Sequence, residues 1–225
     1  MKNYFLILIS IITISCGGGN EKLNLPDITI TTNSEEAKNA FLDAMYNFET
    51  RGSNEQRRTL LNQAITIDPD FLLAKAALYS FVGTEFNNSV LESVYEERNK
   101  VSDMEAKIIE FFYNRRTSND PEIASYNITM LTDEYPELWR LWYWSGHTKS
   151  RNYSEIYEAI DDLETALEIN PNHFGTKLEL ITKHLQVGGF GFQLPSDEID
   201  MDYLETMVYD LEKTDPDLGF TYVIL

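Results

Sequence analysis

The sequence predicts an all-α fold of stacked helix-turn-helix units, and three observations carry that prediction. Proline recurs behind a helical pattern in four similar strings: Ile67-Asp68-Pro69-Asp70-Phe71, Glu134-Tyr135-Pro136-Glu137-Leu138-Trp139, Ile169-Asn170-Pro171-Asn172-His173-Phe174 and Thr214-Asp215-Pro216-Asp217-Leu218. These prolines lie 67, 35 and 45 positions apart, which fits a period of about 34 residues taken twice, once, and once with an insertion. Each lacks an amide donor and so ends one helix before an apolar residue opens the next. Finally, apolar residues in the body recur at helical spacing, as in Ile156, Ala159, Ile160, Leu163 and Leu167, and no strand-length β-branched alternation is sustained.

Read in order, the chain begins with a leader. Residues 1–15 carry one charge, Lys2, and an apolar run from Tyr4 through Ile14 broken by Ser10 and Thr13, the layout of a secretory signal. That run is shorter than the roughly 20 apolar residues a spanning helix needs. Cys16 follows at once, the only cysteine in 225 residues, and Gly17, Gly18 and Gly19 come after it. Thr13-Ile14-Ser15-Cys16 resembles the lipobox of bacterial lipoproteins, with Thr13 standing where leucine is usual. The resemblance implies cleavage before Cys16, a diacylglycerol on its thiol and a membrane-anchored protein of the bacterial cell envelope. The absence of Asp directly after Cys16 points to the outer membrane, on its periplasmic face or at the cell surface. Residues 16–33 then read as the lipidated cysteine and a flexible tether. Residues 34–225 read as one repeat domain, long enough for a continuous core.

Within that domain the first unit carries Phe41, Met45, Phe48, Leu61 and Ala64 ahead of Pro69. A second, from Lys75, Leu78 and Tyr79 to about Val101, is the least regular. Ser102-Asp103-Met104-Glu105 is a capping-box pattern that starts the next helix, and its unit runs through Ile108, Phe111, Phe112, Ala124, Ile128 and Leu131 to Pro136. Trp142, Gly146, Ala159, Leu163, Ala166 and Pro171 make the fourth. This last set resembles the tetratricopeptide repeat, and the resemblance covers most of Ser34 to Leu185, with Arg57 where that pattern has alanine. It implies a right-handed α-solenoid in which small residues let paired helices approach and each unit touches only its neighbours. Beyond it, Gly188-Gly189-Phe190-Gly191-Phe192 reads as an inter-repeat turn. Ser196 reads as the cap of a helix reaching Lys213, and Thr221 to Leu225 as an uncovered apolar end.

Charge narrows the partners. Against 37 acidic side chains stand 18 Lys and Arg, a net −19, and removing residues 1–15 takes only Lys2. So acidic a surface repels nucleic acid and anionic head groups, which leaves anchoring to the lipid at Cys16. No phosphate-loop spacing occurs, and His147, His173 and His184 have neither cysteine partners nor an HExxH arrangement. Asp197, Asp200, Asp202 and Glu205 lack the loop glycine of a calcium site. No catalytic residue, metal or cofactor is therefore expected, nor an enzyme.

The tetratricopeptide resemblance also implies a concave groove, lined by the first helix of each unit, that holds an extended peptide or a partner helix. Carried over by position, its lining includes Tyr46, Tyr113, Arg116, Arg140, Tyr143 and His147, residue types that dominate binding energy at interfaces. The same types fill helical cores, so packing competes with binding at each of them. The expected function is a non-enzymatic scaffold lipoprotein that binds a protein partner in the envelope. Glycan capture beside an outer-membrane transporter, and outer-membrane assembly, are the alternatives.

Overall fold

A computed structural model describes residues 25–81, 88–189 and 200–214, and every regular element in them is helical. The order is α1 (Glu35–Glu49), α2 (Asn54–Ile67), α3 (Leu72–Phe81), α4 (Asn88–Glu96), α5 (Asp103–Thr117), α6 (Pro121–Glu134), α7 (Trp139–Lys149), α8 (Ile156–Ile169), α9 (Phe174–Gly189) and α10 (Met201–Thr214). The leader, Cys16, Ser196, Phe190 to Phe192 and Thr221 to Leu225 lie outside the described residues. Among the described residues no helix is long and apolar enough to cross a membrane.

Local chemistry sets the helix starts. Ser34 and Ser53 each accept the amide of the residue three positions on, at 3.2 and 3.1 Å, and Asp120 accepts that of Glu122 ahead of a proline in the first turn. Asp200 caps α10 by accepting the Tyr203 amide at 3.0 Å. The Ser102 box is only half formed. Its hydroxyl accepts the Glu105 amide at 3.3 Å, but the Glu105 carboxylate takes the amide of Thr31 at 2.7 Å together with the Thr31 hydroxyl.

Glycine brings α7 and α8 together. A Cβ on Gly146 would stand 2.5 Å from Leu163 Cγ and 2.7 Å from the Ala159 carbonyl oxygen. Ser145 and Lys149 both reach the buried Asp162 carboxylate on α8, at 2.6 and 2.7 Å. Trp142 lies partly buried with its indole N–H on the Pro136 carbonyl, whereas Trp139 and Trp144 are both buried.

The core is a chain of aromatic contacts that returns to its start. Phe48 of α1 meets Phe81 of α3 at 4.3 Å between centroids, Phe81 meets Phe112 of α5 at 4.8 Å, and Phe112 meets Trp144 of α7 at 5.3 Å. From α7, Tyr143 and His147 pack back on Phe48 at 6.4 and 4.9 Å. The expectation that each unit touches only its neighbours is corrected here: α1 seats directly on α7 and α9. Aromatic area buried across the middle of the array is the reason, because closing the ring removes faces of Phe48 and Tyr143 from water that an open array would leave wet.

The end of α1 is shaped for that seat. Arg51 has φ 57°, its amide reaches the Phe48 carbonyl at 3.2 Å, and the Gly52 amide reaches the Asn47 carbonyl at 2.8 Å. This pair of bonds is a Schellman motif with arginine where glycine is usual. Holding a side chain there costs about 1 kcal/mol, which the Arg51–Glu179 bridge of 2.7 Å to α9 offsets. Arg51→Gly and Arg51→Ala both lose the bridge, but only glycine relieves the backbone. Urea melts are expected to rank wild type above Arg51→Gly, and Arg51→Gly above Arg51→Ala by about 1 kcal/mol; equal stability of the two variants would contradict the strained cap.

Candidate functional site

Three of the six expected groove residues meet at the seat of α1. Arg140, in the first turn of α7, is 6% exposed and Glu49, the last residue of α1, is 1% exposed. The two pair directly. Arg140 also grips Asp27 with two donors, Nε to Oδ1 at 2.8 Å and Nη2 to Oδ2 at 3.0 Å, and lies over the Trp139 ring. Burial alone would lower its pKa; the charges of Glu49 and Asp27 overcome that and raise it above the ordinary arginine value. Tyr143, 1% exposed, donates to the Glu49 carbonyl at 3.1 Å. His173 Nε2 lies 3.4 Å from the Glu49 carboxylate, and its Nδ1 meets the Thr176 hydroxyl at 2.7 Å.

His147 lies one turn beyond Tyr143, 26% exposed at its side chain, with Nδ1 3.6 Å from the Glu179 carboxylate. Glu179 is buried on α9 and is also bridged by Arg51 at 2.7 Å and Lys183 at 3.1 Å. Burial pushes the His147 pKa down. Burial works to raise that of Glu179, but the neighbouring His147 imidazole and the charges of Lys183 and Arg51 outweigh it and hold the carboxyl well below the usual range.

Both groups bind a proton less readily folded than unfolded. Their contribution is complete above the unfolded values, 6.5 for the histidine and 4.5 for the carboxyl, and is lost as pH falls through the lowered folded ones. Unfolding free energy is expected to fall from pH 7 to 5 with a slope of at most about 1.4 kcal/mol per pH unit per proton. It falls again below about pH 4.5, where the Glu179 carboxyl of the unfolded chain takes up a proton that the folded one refuses. His184 is lowered by burial too, so His147→Gln reduces the upper step without abolishing it; an unchanged step would remove His147 from the account.

The remaining expected groove residues do not join this cluster. Tyr46 is 58% exposed on α1, on the face away from the core. Tyr113 stacks on Tyr95 of α4 at 4.3 Å, with Arg98 over the other ring. Arg116 is half-buried at the end of α5. An open groove lined by Arg140 and Tyr143 is thus corrected: both are spent on holding α1, and a partner cannot reach them while α1 stays seated.

Sequence reading missed Glu49, Asp27, His173, Glu179 and Arg51. The bonds that join them across the seat of α1 span 91 to 128 positions in the chain, and no local spacing marks those. It also took residues 16–33 as a free tether. From residue 25 the chain is extended but docked: Ile28 is buried, Thr31 binds Glu105, Thr32 and the Asn33 amide bind Asp68 at the end of α2, and Asp27 binds Arg140. This strap crosses three helices before α1 begins.

Chemically, the Glu49–Arg140 cluster is a fastener, since each charged group in it faces an opposite charge or a hydrogen-bonding partner. The fold and the cluster define an all-helical protein whose first helix is locked to its fourth pair. No protein-family model matches the chain, and no curated protein matches it in sequence.

Proposed function

We propose that this chain is a non-enzymatic, membrane-anchored interaction protein of the tetratricopeptide-like kind. On this reading it is lipidated at Cys16 on the outer membrane and binds a protein partner in the cell envelope. The anchor rests on the leader and the lone cysteine. One structural observation carries the interaction: on α6, Ile123, Tyr126 and Met130 are all exposed, Tyr126 by 65%, at positions i, i+3 and i+7 of one helix face. That stripe is flanked by exposed Glu122 and Asp133. An apolar row with an acidic rim fits a partner segment that is apolar at its centre and basic at its edges. With Arg140 and Tyr143 buried beneath α1, the contact belongs on this outer face.

The test is crosslinking of the lipoprotein in its own envelope, followed by mass spectrometry, beside a Tyr126→Ser/Met130→Ser variant and a Tyr46→Ser control. A partner lost by the stripe variant and kept by the control supports the reading. A partner kept by both moves the contact off α6. Recovery of no protein from a folded, lipidated chain favours glycan capture.

A further inference from the structure

Within the strap, Ile28-Thr29-Ile30-Thr31-Thr32 is a run of β-branched residues, the type that favours extended backbone, and it belongs to none of the described helices. Its bonds to the body repeat at every second residue. The Thr29 amide donates to Met104 Sδ at 3.3 Å, that of Thr31 to Glu105 Oε1 at 2.7 Å, and that of Asn33 to Asp68 Oδ2 at 3.2 Å. Successive amides of an extended chain point to opposite edges. Residues 29, 31 and 33 therefore give one edge to α5 and the end of α2, while Ile30 and Thr32 turn theirs away.

Nothing pairs with that second edge. Among the described residues the amides of Ile30 and Thr32 find no acceptor, and no carbonyl from residue 28 to 33 accepts a hydrogen bond. Ile30 and Thr32 are only half-buried, and Thr29 and Thr31 are exposed. Buried amides are almost always paired, so these two face water. Open strand edges are usually blunted by a charge, a proline or a bulge. Pro26 stands just ahead of the run and Ser34 caps α1 just behind it, but residues 28–32 hold neither a charge nor a proline.

We propose that residues 28–32 are a strand-addition site, where an extended segment of a partner protein lies beside the strap and exchanges main-chain bonds with Ile30 and Thr32. Those bonds supply affinity, and the exposed Thr29 and Thr31 favour β-branched side chains opposite them. The surrounding charge fixes the partner's ends. Glu35 and Glu36 in the first turn of α1, and Asp70 just past Asp68, are all exposed where the strap meets the body. The added segment is therefore uncharged along its middle and carries Lys or Arg at that end. A second copy of this chain fits worse, because pairing would join two chains of net −19 along a stretch, 25–36, that has no basic residue of its own. The site is separate from the α6 stripe and does not rest on it.

The full-length chain in detergent, titrated with a fluorescent peptide of alternating valine and threonine with lysine at both ends, tests this by anisotropy. Saturable binding is expected, and weaker binding of the same peptide ended by glutamate. Ile30→Pro removes an outward amide and spares the inward ones, so it should weaken binding about tenfold or more. Ile30→Ala trims the side chain but keeps the amide, and should change binding less than about threefold. Hydrogen exchange at the Thr31 amide reports whether the strap stays docked in each variant. A peptide N-methylated throughout should not bind, which tests the edge even where Ile30→Pro disturbs the strap. No saturable binding, equal losses in the two variants, or binding of the N-methylated peptide overturns the site. A concentration-dependent dimer that Ile30→Pro abolishes gives the edge to a second copy and overturns the partner.

Discussion

Replacing Glu49 with alanine is expected to cost about 3–5 kcal/mol, the range for removing one partner of a buried ion pair. Arg140 would keep Asp27, but its Nη1 would lose its acceptor, and His173 would lose the carboxylate it faces. Domains of ordinary stability hold about 5–15 kcal/mol in all, so the variant spends much of its folding margin. Urea denaturation reads the loss, and hydrogen exchange should locate it in α1, α7 and α9. Glu49→Gln keeps the shape and one acceptor, so its loss should be smaller. Arg140→Met in the Glu49→Ala background should restore part of the stability, because it removes the stranded charge. A loss below about 1 kcal/mol for Glu49→Ala would mean that α1 is not held by this pair.

Gly146→Ala should also destabilise, against the trend for glycine in a helix. Alanine favours the helix by about 1 kcal/mol. Its methyl group, however, would lie 2.7 Å from the Ala159 carbonyl oxygen and 2.5 Å from Leu163 Cγ. Leu163 can rotate; a backbone oxygen inside α8 cannot, so the two helices must part. Overpacking of this kind costs about 1–3 kcal/mol, and separation stretches both bonds to Asp162. A net loss of about 1–2 kcal/mol is expected for alanine and a larger one for valine, measured by thermal and urea melts. A Gly146→Ala protein as stable as wild type would show that α7 and α8 do not approach so closely.

Helix boundaries were legible because their chemistry is local. α2, α6, α8 and α10 end at Ile67, Glu134, Ile169 and Thr214, each two residues before the proline of its repeat string. Gly146, Ala159 and Ala166 were legible for the same reason, since small residues at fixed spacing imply a close helix pair. Closure was not, because it depends on what α1 meets after folding. Glu49 reads in sequence like any glutamate near a helix end, and its burial follows only when Tyr143, Arg140 and His173 arrive from distant positions. Arg140 and Tyr143 show the same limit from the other side: an arginine and a tyrosine on a first helix suit a binding groove and an internal fastener equally well. The strap hid behind composition, for proline, threonine and scattered apolar residues describe an extended segment whether it is free or docked.

The strap also decides how the molecule bears load. On the lipid-anchored reading, any tension between membrane and body enters at residue 25. There it meets the Asp27–Arg140 clasp first, then Thr31 on Glu105 and Thr32 on Asp68. Force is therefore shared as shear among α7, α5 and α2, and α1 is not peeled from its own first turn. The first of these contacts shares Arg140 with the ion pair that seats α1, so a tug strong enough to release the leash would also loosen the ring.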